Sequence, residues 1–258
     1  MAISTLLALP VAAMPGSTGA RVRRTFTGRR QLVVGRRKMP LSKAAAKVLD
    51  GALREPDLQR RLVKALQALR AHDQHAFEHS RRVGAYARLL ARALGYGAEA
   101  PMVGLAGALH DIGKLGVSQK LLSGKSDKLG KRQLREIRRH PGYGATLLSA
   151  LGADLRSVRG ALTHHERLDG AGYPLGLSGA GVPAVARILG VVDAFDAMTS
   201  QRSYNKPMSK AQAVARLREL SGTSLDARCV EAFIEVLDTS SGRAVFAASQ
   251  RHPGGSEH

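Results

Sequence analysis

Apolar residues recur at helical spacing through most of this chain, and no stretch stands out with the alternation of a strand. From His79 to Leu94, the residues Val83, Tyr86, Ala87, Leu90 and Leu94 line one helical face. His79 lies four residues before Val83, so it shares that face. Residues 100–109 form a small-residue apolar helix that runs straight into His110-Asp111. Residues 131–139 form a charged helix, stopped by Pro141 just after His140. Residues 145–151 and 155–165 are helical again. Pro183 suits the first turn of a further helix, which carries Ile188, Leu189, Val191 and Val192 and runs to Met198. Residues 209–220 and 227–237 close the series. Hydrophobic residues make up 44% of the 258, but aromatics only 4%, with no tryptophan. The core must therefore be built from Ala, Leu and Val, and Ala and Leu are strong helix formers. The expected fold class is all-α.

The flanks read differently. Residues 1–70 hold 15 Lys/Arg against 3 Asp/Glu, so +12 of the formal +20 lies there. Ala2 to Met14 is apolar but far too short to span a bilayer as a helix. It lacks the positive start of a secretory signal, although Ala12-Ala13 resembles a cleavage motif. Residues 1–40 are read as a disordered basic leader or an over-extended start. Residues 41–72 read as a short N-terminal helical segment, two amphipathic helices punctuated by Pro56. Residues 73–238 form the main domain, and 239–258 a polar, frayed tail. Some 70 residues of basic, partly helical sequence are too few for a sensor domain, so regulation would act through that segment, self-association or a separate protein. The balance of charge favours phosphate-rich partners such as a nucleotide or an anionic surface. The basic residues are not interleaved with aromatics, so nucleic acid is not expected; a solubilising tail is the plainer reading. The single cysteine, Cys229, excludes an internal disulfide and a thiolate cluster. No membrane span is evident, and a cytoplasmic location is the default expectation.

The informative residues are polar groups set in apolar helices. Asp193 lies in ARILGVVDAFDAM, where an ionised carboxylate is costly unless paired or metal-bound. Arg187 is one candidate partner, and Asp196 could share its side of the helix. With His79, His110, Asp111, His140, His164 and His165, it gives seven candidate N or O ligands on five segments. A set without cysteine suits Mn, Fe, Zn or Mg. HHERLDGAGYP, residues 164–174, is either a polar surface turn or the wall of a site. Alone, each residue also has a plain structural explanation. A buried His is often a satisfied core residue, and a chance HD pair occurs again at His72-Asp73.

Taken jointly, HDIGK (110–114) and HHERLDGAGYP resemble the two signatures of HD-GYP domains, a branch of the HD superfamily of metal-dependent phosphohydrolases. EHSRRVGAYARLLA, HPGYGATLL, ARILGVVDAFDAMTSQRSY and GTSLDARCVEAF resemble further family stretches, in order, over roughly residues 73–237. The resemblance implies an HD-type helical bundle around a buried binuclear centre. The ligands by position would be His79, His110, Asp111, His140, His164, His165 and Asp193, with Asp111 bridging two divalent ions, iron or manganese. It implies hydrolysis of cyclic di-GMP to pGpG or GMP by a metal-bridging hydroxide. Two ions about 3.5–4 Å apart would supply the nucleophile and shield the phosphate. It also leaves room for a homodimer and for protein partners such as diguanylate cyclases.

Lys114 would neutralise charge or protonate the leaving oxygen, unless it is a solvated surface lysine. Gly170 and Gly172 would let backbone approach substrate. Tyr173 would offer a ring to guanine or a hydroxyl to phosphate, and Arg202 a fork to phosphate; loop packing is the rival for both. Glu166 would orient a ligand histidine. Three departures from the family pattern stand out. His75 replaces the glutamate tied to a third metal, which favours two ions while leaving a third open. HDIGKLGVS lacks the usual proline. RSY with Asn205 replaces RPY with a basic residue, although Lys206 is adjacent. Other functions remain open: a non-catalytic module that binds cyclic di-GMP or a protein, or an HD phosphohydrolase acting on another nucleotide.

Overall fold

The computed structural model describes residues 19–25, 29–123, 129–201 and 206–250. Short polar side chains set half of the helix starts. Ser42, Asp57 and Asp73 accept backbone N–H groups at the heads of α1 (Lys43–Leu53), α2 (Leu58–His72) and α3 (Gln74–Ala93). The second HD pair is thus explained, since Asp73 caps a helix and His72 Nε2 meets the Val117 carbonyl at 2.9 Å. Each such cap contributes about 1 kcal/mol. Next come α4 (Ala100–Leu109), a 3-10 turn (Ile112–Gly116), α5 (Gln119–Leu122), α6 (Lys131–Ile137) and α7 (His140–Leu151). Asp154 caps α8 (Leu155–Thr163), and α9 (Ala184–Thr199) follows a second 3-10 turn (Gly179–Gly181). Ser209 and Asp226 cap α10 (Lys210–Leu220) and α11 (Ala227–Asp238), before α12 (Ser240–Gln250).

These helices enclose two cores. Leu49, Leu62, Leu69, Leu109 and Leu148 belong to the first. Val83, Leu90, Ile188, Val192 and Leu217 belong to the second, with Tyr86, Phe195 and Phe233 meeting edge-on at 5.3–5.8 Å. Helix α4 contributes Leu105 and Leu109 to one core and Val103 and Ala106 to the other. That is why it is apolar all round. Its C-terminal end delivers His110 and Asp111 to the buried junction.

Two flank readings need correction. The described residues of the supposed disordered leader instead build a three-stranded antiparallel sheet. It comprises β1 (Arg21–Arg24), β2 (Arg30–Val34) and β3 (Arg37–Leu41), in that order. Leu32 pairs with Met39 and both are fully buried in the first core. The signal was a two-residue hairpin with Gly35 at positive φ, hidden because arginines flank the few inward-facing residues. The tail is ordered to Gln250, because α12 lays Phe246 against the second core, 6.0 Å from Phe195. The apolar run Ala2 to Met14 lies outside the described residues. Among the described residues, no helix is long and apolar enough to cross a membrane.

Candidate metal centre

The structure brings all seven candidate ligands together. Asp111, 2% exposed at the end of α4, is the hub. Its Oδ2 faces His79 Nε2 at 3.8 Å and His110 Nε2 at 3.5 Å. Its Oδ1 faces His140 Nε2 at 3.3 Å and His164 Nε2 at 3.9 Å. Asp193 Oδ1 lies 2.9 Å from His79 Nε2 and 3.9 Å from His110 Nε2. The donors thus fall into two groups, His79, His110 and Asp111 beside His140, His164 and His165. Within each group the ligand atoms lie within 4.8 Å of one another.

Backbone geometry decides which nitrogens point inward. His110 Nδ1 bonds the Gly107 carbonyl at 2.7 Å, His140 Nδ1 that of Ile137 at 2.8 Å, and His164 Nδ1 that of Ala161 at 3.0 Å. A carbonyl only accepts, so each Nδ1 carries the proton and each Nε2 presents a lone pair when the ring is neutral. Burial does hold His110, His140 and His164 below their ordinary pKa, His140 to about 3, and lowers His165 as well. The Nε2 atoms of His140 and His164 nevertheless sit 3.2 Å apart. Two lone pairs facing at that distance repel unless a cation lies among them. The donor set therefore fits a divalent metal, with neutral imidazoles in the form that ligates.

His79 is the exception. Burial disfavours its charge, but hydrogen bonds to Asp193 and Asp196 outweigh that and raise it to about 9. Burial also opposes ionisation of Asp111 and Asp193, yet Lys114 and the histidines around Asp111, and His79 and its neighbours around Asp193, hold both well below the carboxylate range. Asp193 is not paired with Arg187, which bonds Asp226 at 3.1 Å instead. Asp196 is the more consequential residue. Fully buried, it accepts from His79 Nδ1 at 2.7 Å, from Arg82 at 2.7 and 2.9 Å, and from Ser200 Oγ at 3.0 Å. Arg82 went unnoticed in the sequence, although it stands three residues after His79 on the same helical side. Asp196→Asn should weaken metal affinity by about 10–100-fold, because the amide cannot satisfy both His79 and Arg82. Calorimetric titration of Mn against the metal-free variant checks this; wild-type affinity would refute the role.

Lys114 Nζ meets Asp111 Oδ2 at 2.5 Å, so it is not a solvated surface lysine. Among the described residues, Glu166 bonds no histidine. Its two oxygens accept the backbone N–H groups of Leu175 at 2.6 Å and Leu177 at 2.8 Å, fastening the glycine-rich loop. Gly170 takes a left-handed φ of 75°. The missing side chain of Gly172 is needed by the chain itself, since a Cβ would stand 2.5 Å from Arg167 N and 2.7 Å from His165 O. Tyr173 lies against the His165 ring, centroids 4.6 Å apart and planes 27° off parallel. Burial, and then Asp111 and Asp193, push its phenol above the ordinary value. Its ring is engaged, so the hydroxyl is the group left for a substrate. Arg202 and Asn205 lie outside the described residues. His75 is in neither donor group; its Nε2 meets the Gln201 carbonyl at 2.9 Å. Glu166→Ala should release the loop and raise KM about tenfold with metal content intact, from the loss of two charge-assisted bonds. Steady-state kinetics beside metal analysis decides it, and an unchanged KM would count against this fastening.

A family model described as HD domain matches residues 65–229. The chain belongs to the HD-domain family. Its HD pair is His110-Asp111, the hub described above. The chain is 38% identical over 194 residues to the cyclic di-GMP phosphodiesterase PA4108 of Pseudomonas aeruginosa, covering 72% of this chain and 44% of that one. It is 38% identical over 162 residues to the 3'3'-cGAMP-specific phosphodiesterase 3 of Vibrio cholerae, covering 62% and 35%. It therefore spans less than half the length of either relative. Among solved structures it resembles Bd1817, an HDG"Y"P protein of Bdellovibrio bacteriovorus. The TM-score is 0.56 and the identity 18%, over 76% of this chain and 71% of that one. That likeness bears on the fold alone: an HD-type helical bundle.

Proposed function

We propose that this HD domain is a metal-dependent phosphodiesterase hydrolysing cyclic di-GMP to pGpG, GMP or both. The reading assigns His79, His110, Asp111, His140, His164, His165 and Asp193 to two divalent ions, iron or manganese. The observation that carries it is Asp111, whose two oxygens face two separate donor groups. When bound, such ions polarise a phosphodiester and acidify water.

The residues of the chain do the rest. Asp196 and the backbone carbonyls fix the imidazoles, and the apolar cores exclude bulk water. Lys114 offers positive charge and a proton at Nζ, on the Asp111 side where a leaving oxygen would sit. Gly170 and Gly172 shape the lip, and Tyr173 Oη reaches toward phosphate; Arg202 is kept as a further phosphate ligand. Cys229, buried with its thiol pushed up to about 12, takes no part and is compatible with a reducing cytoplasm. A related substrate, 3'3'-cGAMP, is the second reading, favoured by the name of one relative.

The test is metal analysis coupled to turnover, on protein purified anaerobically with Mn or Fe and given cyclic di-GMP, 3'3'-cGAMP and nucleoside triphosphates. About two ions per chain and linear pGpG are expected. Metal-loaded protein that binds cyclic di-GMP but leaves it intact would instead be a non-catalytic binding module.

A further inference from the structure

Tyr173 has a second neighbour. The guanidinium carbon of Arg138 stands over its ring, 5.1 Å from the centroid. Arg138 closes α6, two residues before His140, and is exposed. Its side chain makes no hydrogen bond or ion pair among the described residues. Four other cations around the centre are committed: Lys114 to Asp111, Arg82 to Asp196, Arg81 to Glu78 and Arg167 to Asp169. Arg138 is therefore a lip cation held only by an aromatic ring. A cation–π contact at an exposed position is weaker than a forked, charge-assisted bond to phosphate. The ring positions the guanidinium and yields it readily.

Its place is also informative. The Tyr173 ring packs on His165, a member of the donor cluster, so Arg138 stands about one ring beyond that cluster. From there it can meet the far end of a ligand larger than a simple diester. A cyclic dinucleotide carries two phosphodiesters in one macrocycle. Only one can occupy the centre, and the other brings a negative charge to the lip. We infer that Arg138 binds the phosphodiester that is not cleaved, and so selects cyclic dinucleotides over simple diesters. This rests on the cyclic dinucleotide reading above.

The experiment compares the metal-loaded full chain with Arg138→Gln and Arg138→Lys. The substrates are cyclic di-GMP and bis(4-nitrophenyl) phosphate, which has a single phosphodiester. Binding of a phosphorothioate analogue of cyclic di-GMP is measured by calorimetry. Arg138→Gln should lower the ratio of kcat/KM for cyclic di-GMP to that for the simple diester by about tenfold or more, and weaken analogue binding by a similar factor. Arg138→Lys should fall between, keeping the charge but losing the fork. An equal loss on both substrates would overturn the inference, because Arg138 would then merely shape the centre. An unmoved ratio with unmoved binding would overturn it too. If the wild type cleaves the simple diester but no cyclic dinucleotide, the substrate reading itself fails and this inference with it.

Discussion

Asp111→Ala is expected to lower turnover of cyclic di-GMP by about three orders of magnitude or more, since stabilising phosphoryl charge at such a centre is worth several kcal/mol. Metal content should fall with it. The carboxylate faces both donor groups, through Oδ2 toward His79 and His110 and through Oδ1 toward His140 and His164. Without it, His140 and His164 keep their lone pairs 3.2 Å apart with no nearby negative charge to favour a cation. The Lys114 ammonium also loses its partner and repels a second positive charge. Asp111→Asn separates the two effects, because it keeps the volume and removes only the charge. Elemental analysis, turnover and melting with and without Mn give the answer. Mn should raise the melting temperature of the wild type but not of either variant, because a ligand that binds the native state stabilises it in proportion to its affinity. Full activity in Asp111→Ala would sink the proposed chemistry.

That these seven residues would meet was legible in the sequence because they sit in contiguous or helically spaced motifs. HDIGK and HHERLDGAGYP are each a single local run, and Asp193 declares itself by the cost of a carboxylate between Val192 and Ala194. The supporting groups were legible only in part. Asp196 was visible one turn from Asp193, but its bonds to His79 and Arg82 cross more than 110 residues of chain. No local rule reports such a pairing. Glu166 was seen and given the wrong target, because its bonds to Leu175 and Leu177 depend on how a glycine-rich loop doubles back. The sheet over residues 21–41 was missed for a different reason. Its strands are only four or five residues long, and their burial rests on Leu32 and Met39, two apolar residues among many arginines. A hydrophobic pattern needs length to be read, and this one has little. The contact of Arg138 with Tyr173 joins two loop-proximal residues by tertiary approach alone, so it has no sequence signature.

Gly113→Ala should be the most damaging single-methyl change near the centre. A Cβ at Gly113 would overlap the His140 carbonyl oxygen and press on the Gly144 backbone nitrogen. Both are main-chain atoms of the first turn of α7, which cannot rotate aside as a flexible side chain can. Overpacking of a core usually costs about 1–3 kcal/mol, and a backbone-to-backbone clash belongs at or above the upper end. At this chain length each kcal/mol lowers the melting temperature by about 2–4 °C. The damage is also directional. Gly113 lies between Asp111 and Lys114 on one wall, while His140 belongs to the other. Relieving the clash must widen the gap in which His140 Nε2 now sits 3.3 Å from Asp111 Oδ1. Metal affinity should therefore fall even where the protein remains folded. Gly144→Ala is the milder comparison, because its Cβ would press on the methyl of Ala161 at 3.2 Å and meet the Gly113 backbone nitrogen at 3.4 Å, an ordinary contact. It should cost less stability and disturb the Asp111–His140 spacing less. If Gly113→Ala melted with the wild type and bound Mn as tightly, the close approach of the HD turn to α7 would not be what positions the two donor groups.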